Sequence, residues 1–177
     1  HEAAISGAKI TELVLPSTLK IFYPCGIYNA FKLRDIRFDG ENSKYVIKDG
    51  LLIEKESNAL LFIPNGWNGG RNISLPAGIT AIADRAVYNN IILEELLIGE
   101  GVRVVGTSAL SQCITLTYVD LPASVTTIKN NAFKGDNVLE TVIIRAITPP
   151  AASPKGRIGS YQTEGSFDQL PENATLY

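Results

Sequence analysis

Side chains that could serve as nucleophiles or bases are few, and their spacing suits that work poorly. Histidine occurs once, at His1, and the two cysteines, Cys25 and Cys113, stand far apart with no other Cys or His close in sequence. A Ser/His or Cys/His nucleophile needs an imidazole within hydrogen-bond reach, and a terminal histidine does not offer one. The same scarcity argues against a zinc site, which takes Cys and His ligands at short spacings. Cys113 can be read as a reactive thiol or as a small buried filler in a repeated register, and the second reading is the stronger for it and for Cys25.

Carboxylates are more plentiful, and Asp35, Glu95 and Asp120 fall on or beside β-prone runs. A general acid/base pair requires a pocket that shifts one of the two pKa values, whereas carboxylates on an open sheet meet solvent. Gly66, Gly69 and Gly70 surround Trp67 without the strand, spacing or lysine of a phosphate loop or dinucleotide fingerprint, so they read as a loop. The expectation is a chain without a catalytic centre, cofactor or metal. Trp67 is a candidate interface anchor, since exposed tryptophans often carry binding energy; packing against a neighbouring hairpin is the alternative.

Composition sets the outer bounds. Hydrophobic residues make up 45% and charged ones 19% of the 177, enough apolar material for one soluble domain with a core. Sixteen basic against eighteen acidic residues, with no basic cluster, argue against a nucleic-acid partner. Apolar runs such as Leu60 to Ile63 are strand-sized, far below the ~18 residues of a membrane span. A start at His1 and the lack of any methionine suggest a processed or excised fragment without its targeting segment. Asn72-Ile73-Ser74 and Asn173-Ala174-Thr175 fit the glycosylation acceptor pattern, which is too short to weigh heavily.

The elements that place these residues follow from an internal repeat. Apolar-x-apolar triplets recur at Leu13–Leu15, Ile36–Phe38, Ile73–Leu75, Leu96–Ile98, Val119–Leu121 and Val142–Ile144, in steps of 23, 37, 23, 23 and 23 residues. The registers continue beyond the triplets. Ile82, Val105 and Ile128 share one, Ala86-Val87, Ala109-Leu110 and Ala132-Phe133 the next, and Leu93, Leu116 and Leu139 a third. Asn90, Cys113 and Asp136 share a further position, where a small polar or thiol group can close a tight turn.

Each triplet has strand periodicity, first and third residues inward and the middle one outward. The Pro or Gly that follows ends the strand. A repeat this short cannot cover the entropy of its own ordering and must stack on neighbours, which yields a parallel sheet along one side of a solenoid.

The run Leu121-Pro-Ala-Ser-Val-Thr-Thr-Ile-Lys-Asn-Asn-Ala-Phe133, followed by Leu139, resembles the BspA-like (Treponema pallidum type) leucine-rich repeat of bacterial surface proteins, and Cys113 and Leu116 occupy that family's Cys and Leu positions. Departures are Asn90 and Asp136 at the Cys position, and Gly26-Ile27 where Ala-Phe is usual. The 14 extra residues also resemble a variant unit of the family, from Tyr45-Val-Ile-Lys-Asp-Gly-Leu-Leu-Ile53 to Leu60-Leu-Phe-Ile-Pro64. Asp49-Gly50 and Ser57-Asn58 are turn signals there, which predicts a β-hairpin in place of an ordinary loop.

The resemblance implies a single α/β repeat domain over 1–177: a right-handed leucine-rich-repeat solenoid with a parallel β-sheet on one face and loops, turns and short helices on the other. An insertion at about 41–64 and a capping segment at about 148–177, containing Phe167 and a closing strand near 174–177, complete it. Function follows from the resemblance too, as an extracellular or cell-surface adhesion module that binds a protein or a glycan, or as a spacer within a larger surface protein; a glycan-processing enzyme is the third possibility.

If the triplets face the core, the residues before and within them project outward. That set includes Arg37, Ser74, Glu95, Leu97, Tyr118, Asp120, Thr141 and Ile143, which with Trp67 form the candidate partner-binding surface. Leu97, Tyr118 and Ile143 could make a contiguous apolar patch flanked by Asp120 and Glu95; a covering domain or terminal loop is the alternative.

Overall fold

The apolar triplets form strands, and the repeat length sets how they pair. A computed structural model of the chain describes residues 5–27, 29–148, 150–152, 156–158, 161–163, 165–166 and 175–176. His1, Phe167, Asn173 and most of the expected cap lie outside them. Strands β1 (Glu12–Leu15) and β2 (Asp35–Phe38) pair in parallel as a separate two-stranded sheet. After the insertion come β6 (Asn72–Ser74), β8 (Glu95–Leu97), β10 (Tyr118–Leu121) and β12 (Thr141–Ile144), joined at the far edge by β16 (Thr175–Leu176) in one five-stranded parallel sheet. Ile73, Leu96, Val119 and Val142 stand opposite one another across it.

A second sheet stands where short helices were expected. It contains β7 (Ala81–Ile82), β9 (Val104–Val105), β11 (Thr127–Ile128) and β13 (Ala151–Ala152), paired in parallel. Among the described residues, the helical element is a single 3-10 turn at Pro24–Ile27. Length explains this: after two strand passes, 23 residues leave too few for an α-helix, which needs ~10 or more to be worth its nucleation. The third pass of each repeat is tight turns. Arg85, Ser108 and Asn131 hold φ of 61, 53 and 58°, and Asn89, Gln112 and Gly135 hold 55, 65 and 78°, the same two left-handed positions in successive repeats. Amides on this side bond the next repeat, Val87 to the Ala109 carbonyl (2.8 Å) and Leu110 to that of Ala132 (2.9 Å). Phe133 continues the series by donating to Ser166 (3.1 Å).

The insertion is a hairpin, β3 (Tyr45–Lys48) and β4 (Leu51–Glu54), followed by β5 (Ala59–Phe62). Asp49 and Gly50 turn it with φ of 52 and 77°, both positive as a type I′ turn requires. It does not break the second sheet but lengthens it, because β5 pairs antiparallel with β4 and parallel with β7. The hairpin β14 (Gly156–Ile158) and β15 (Tyr161–Thr163) stands apart.

Two apolar clusters result. The larger runs from Leu51 to Val142; the smaller gathers Ile27, Ala30, Leu33, Ile36, Tyr45, Leu52 and Phe62 around the first two repeats. Strand β4 is the wall between them, with Leu51 and Ile53 in one cluster and Leu52 in the other. A strand buried on both faces has no polar alternation, which explains the unbroken Leu51-Leu52-Ile53 run.

Candidate functional site

The first sheet turns two rows of side chains away from the core. One row reads Asn72, Glu95, Tyr118, Thr141 and Thr175, and the other Ser74, Leu97, Asp120 and Ile143. Asp120 therefore stands between Leu97 and Ile143, and Tyr118 lies in the neighbouring row, diagonal to Leu97. The three apolar side chains interleave with polar ones instead of forming an unbroken patch. Leu97 is 39% exposed, while Tyr118 and Ile143 are half-buried. Arg37 projects from β2 in the separate two-stranded sheet and is ion-paired with Glu12 across the strands.

Asp120 is already engaged. Arg145 Nε donates to its Oδ1 at 2.7 Å and an Nη to its Oδ2 at 2.6 Å, a fork-to-fork pair. Only 14% of the Asp120 side chain is exposed, against 56% for Arg145, so the guanidinium forms a lid over the carboxylate. The hydrogen bonds to Asp120, and then its charge, raise the Arg145 pKa still further. Asp35 lies in the other sheet from Glu95 and Asp120. Among the described residues, no three His, Cys, Asp or Glu side chains are grouped to hold a metal ion, and no helix is long and apolar enough to cross a membrane.

Trp67 is half-buried against the larger cluster. A Cβ added at Gly50 would lie 2.4 Å from its indole nitrogen, and one at Gly69 2.0 Å from its six-membered ring. The hairpin turn and the loop thus seat the ring where only glycine fits. Trp67 reaches the surface through the rim of a groove of about 610 Å³, shared with Phe31, Lys32, Arg34 and Arg71.

Both cysteines are buried free thiols. The Cys113 thiol donates to the Val87 carbonyl at 3.1 Å, and its amide donates to Asp136 Oδ1 at 2.8 Å. Burial, and secondarily the Asp136 charge, raises its pKa well above the ordinary range, which keeps the thiol protonated and a poor nucleophile. Asp136 itself is pushed up to about 9 by burial, with the amides of Cys113 and Gln112 working in the opposite direction. Asn90, one register earlier, closes its turn as the shared position suggests, accepting from the amides of Ile92 and Leu93 at 3.0 Å each.

Sequence reasoning missed the groove and the break in the first sheet beside it. Its one signal was the 37-residue step between the triplets of β2 and β6.

Known proteins agree with this architecture. No curated protein sequence matches the chain. Among solved structures, the pneumococcal vaccine antigen PcpA is similar over 77% of this chain and 33% of its own, with 26% identity and a TM-score of 0.69. A leucine rich cell surface protein from Faecalibacterium prausnitzii is similar over 80% of this chain and 44% of its own, at 22% identity and a TM-score of 0.56, a likeness of fold. The chain thus spans a third and under half of these two proteins. The family model described as BspA type leucine rich repeat region (6 copies) matches residues 65–149, which hold the unbroken run of 23-residue steps. Residues 65–149 are thus similar to BspA-type leucine-rich repeats.

Proposed function

We propose that this chain is a non-catalytic binding module of a bacterial cell-surface or secreted protein, and that it holds a protein partner through the outer rows of its first sheet. The observation that carries the reading is the contrast between the two sides of that sheet. Ile73, Leu96, Val119 and Val142 face inward with near-uniform chemistry, while Ser74, Leu97, Asp120 and Ile143 face outward with chemistry that changes at every strand. A rigid sheet with variable side chains presents groups in fixed positions, which lowers the entropy lost when a partner binds. Surface placement is supported by the likeness to the pneumococcal vaccine antigen; the F. prausnitzii likeness contributes fold alone. Leu97 and Tyr118 supply apolar contact area, and the Asp120–Arg145 pair a rim charge of each sign.

The test is triple replacement of Leu97, Tyr118 and Ile143 by alanine, with binding to immobilised host matrix proteins and intact host cells as the readout. The expected result is at least a tenfold loss of affinity, about 1.4 kcal/mol, with the melting temperature little changed. Unchanged binding would remove the sheet face from consideration and favour a spacer that positions neighbouring domains.

A further inference from the structure

Two strand edges are left open where the 37-residue step breaks the first sheet. Asp35 and Asp39 donate to Thr11 and Leu15 (3.1 and 2.9 Å), so the odd-numbered residues of β2 turn their backbone groups toward β1. Ile36 and Phe38 turn theirs the other way. On the far side of the break, Leu75 donates to Leu97 (3.0 Å) and the Arg71 carbonyl accepts from Glu95 (3.2 Å). The backbone groups of Asn72 and Ser74 therefore point away from β8, on the edge where β2 would pair in an unbroken stack. β2 and β6 do not pair, and among the described residues these four find no backbone partner on that side. The last link before the break is the Gly66 amide donating to Leu33 at 2.7 Å, an approach that a Cβ at Gly66 would block by meeting the Phe31 and Leu33 carbonyls at 2.9 and 3.0 Å. Beyond it the ladder opens between Arg34 and Arg71.

The groove beside Trp67 adjoins that opening at its mouth, where Arg34 and Arg71 line it. Its rim is cationic in a chain whose net charge is −2. Arg71 is ion-paired with Glu94, whereas Lys32 and Arg34 have no ion pair among the described residues. Among the described residues no acidic side chain lines the groove, and Phe31 and Trp67 add aromatic surface. Open N–H and C=O groups along a strand edge are a template for an extended chain, and the free cations select its charge.

We propose that the break between β2 and β6 is a strand-addition site for an extended acidic peptide of a partner protein. Main-chain groups of the peptide pair with Ile36 and Phe38 or with Asn72 and Ser74, and a carboxylate of the peptide meets Lys32 and Arg34 at the mouth. This goes beyond the sheet-face reading and is independent of it, because Leu97, Tyr118 and Ile143 lie outside the break.

Fluorescence anisotropy with labelled peptides of about six residues, a usual strand length, tests it. The expected order is clear binding of an alternating Val/Glu peptide, about tenfold weaker binding of the Val/Lys peptide, and loss of binding when alternate amides of the Val/Glu peptide are N-methylated. Asn72→Pro removes an edge donor at the first position of β6, where proline is tolerated, and should weaken binding several-fold. Lys32→Glu with Arg34→Glu should reverse the charge preference. Three results would overturn the proposal: no binding of the Val/Glu peptide, equal binding of its N-methylated form, or capture of an oligogalacturonate but not the peptide, which would give the cations to an acidic glycan. The N-methylated probe leaves the protein unaltered, so the test survives a variant that fails to fold.

Discussion

Cys113 and Asp136 are the residues in which burial and titration meet. The carboxyl of Asp136 accepts the Cys113 amide, and its second oxygen, Oδ2, is buried without a hydrogen-bond partner among the described residues. With a folded pKa near 9 against 3.8 for the ordinary group, the native state holds this proton across the neutral range and the unfolded state does not. The native state then binds more protons, so the stability tied to Asp136 is fully present below the unfolded pKa and is lost as pH rises toward 9. Asp136→Asn, the residue type already accepted in this register at Asn90, should flatten that loss, read as a smaller difference between urea midpoints at about pH 5 and about pH 8. The same burial predicts that Cys113 reacts with a thiol reagent at the rate of unfolding rather than of collision. Labelling of native protein as fast as a free thiol would contradict it.

Among the elements, the hairpin of β3 and β4 has the sharpest steric requirement. Gly50 needs a left-handed φ of 77°, and its missing Cβ makes room for the Trp67 indole. Gly50→Ala therefore meets two penalties, backbone strain and displacement of the ring. The expected cost is about 1–3 kcal/mol, with a change in tryptophan fluorescence that a remote destabilising variant would not produce. The turn itself was legible from Asp49-Gly50, because two positive φ angles in sequence admit few residue pairs. The triplets of β6, β8, β10 and β12 were legible too, since inward positions repeat at a fixed step. The second sheet was not. Its strands Ala81–Ile82, Val104–Val105 and Thr127–Ile128 are two residues long, too short for a period-2 pattern. The seat of Trp67 was equally hidden, because Gly50 and Trp67 are brought together by sheet pairing and by nothing in their local sequence. The interleaving of Leu97, Asp120 and Ile143 was available from the step alone, since residues 23 apart share a row.

At the scale of the molecule, the insertion divides one stack into two unequal bodies. The larger cluster has continuous pairing on both sheets, and residues such as Leu96, Leu110, Leu116 and Phe133 are wholly shielded from solvent. The smaller cluster has a two-stranded sheet with both outer edges unpaired among the described residues, and partners such as Ile5, Leu13, Leu15 and Phe22 are only partly buried. In a repeat stack stability is roughly the sum of unit and neighbour terms, so a break in pairing lowers the coupling across it. Phe133→Ala, which empties a fully buried site in the larger body, should cost about 3–5 kcal/mol. Because coupling is weak at the break, that loss should fall mainly on the larger body. Native-state hydrogen exchange can separate the two: the amides of Arg37 and Leu15 should exchange through a lower-energy local opening than those of Leu96 and Val119. Leu52→Ala should narrow the distinction in a specific way, since Leu52 ties β4 to the smaller cluster; it should speed exchange in β1 and β2 and leave β10 close to its original rate. One common opening free energy for β2 and β10 would mean that the wall of β4 transmits stability as well as an unbroken sheet does, and that the break is a gap in hydrogen bonding without being a gap in cooperativity.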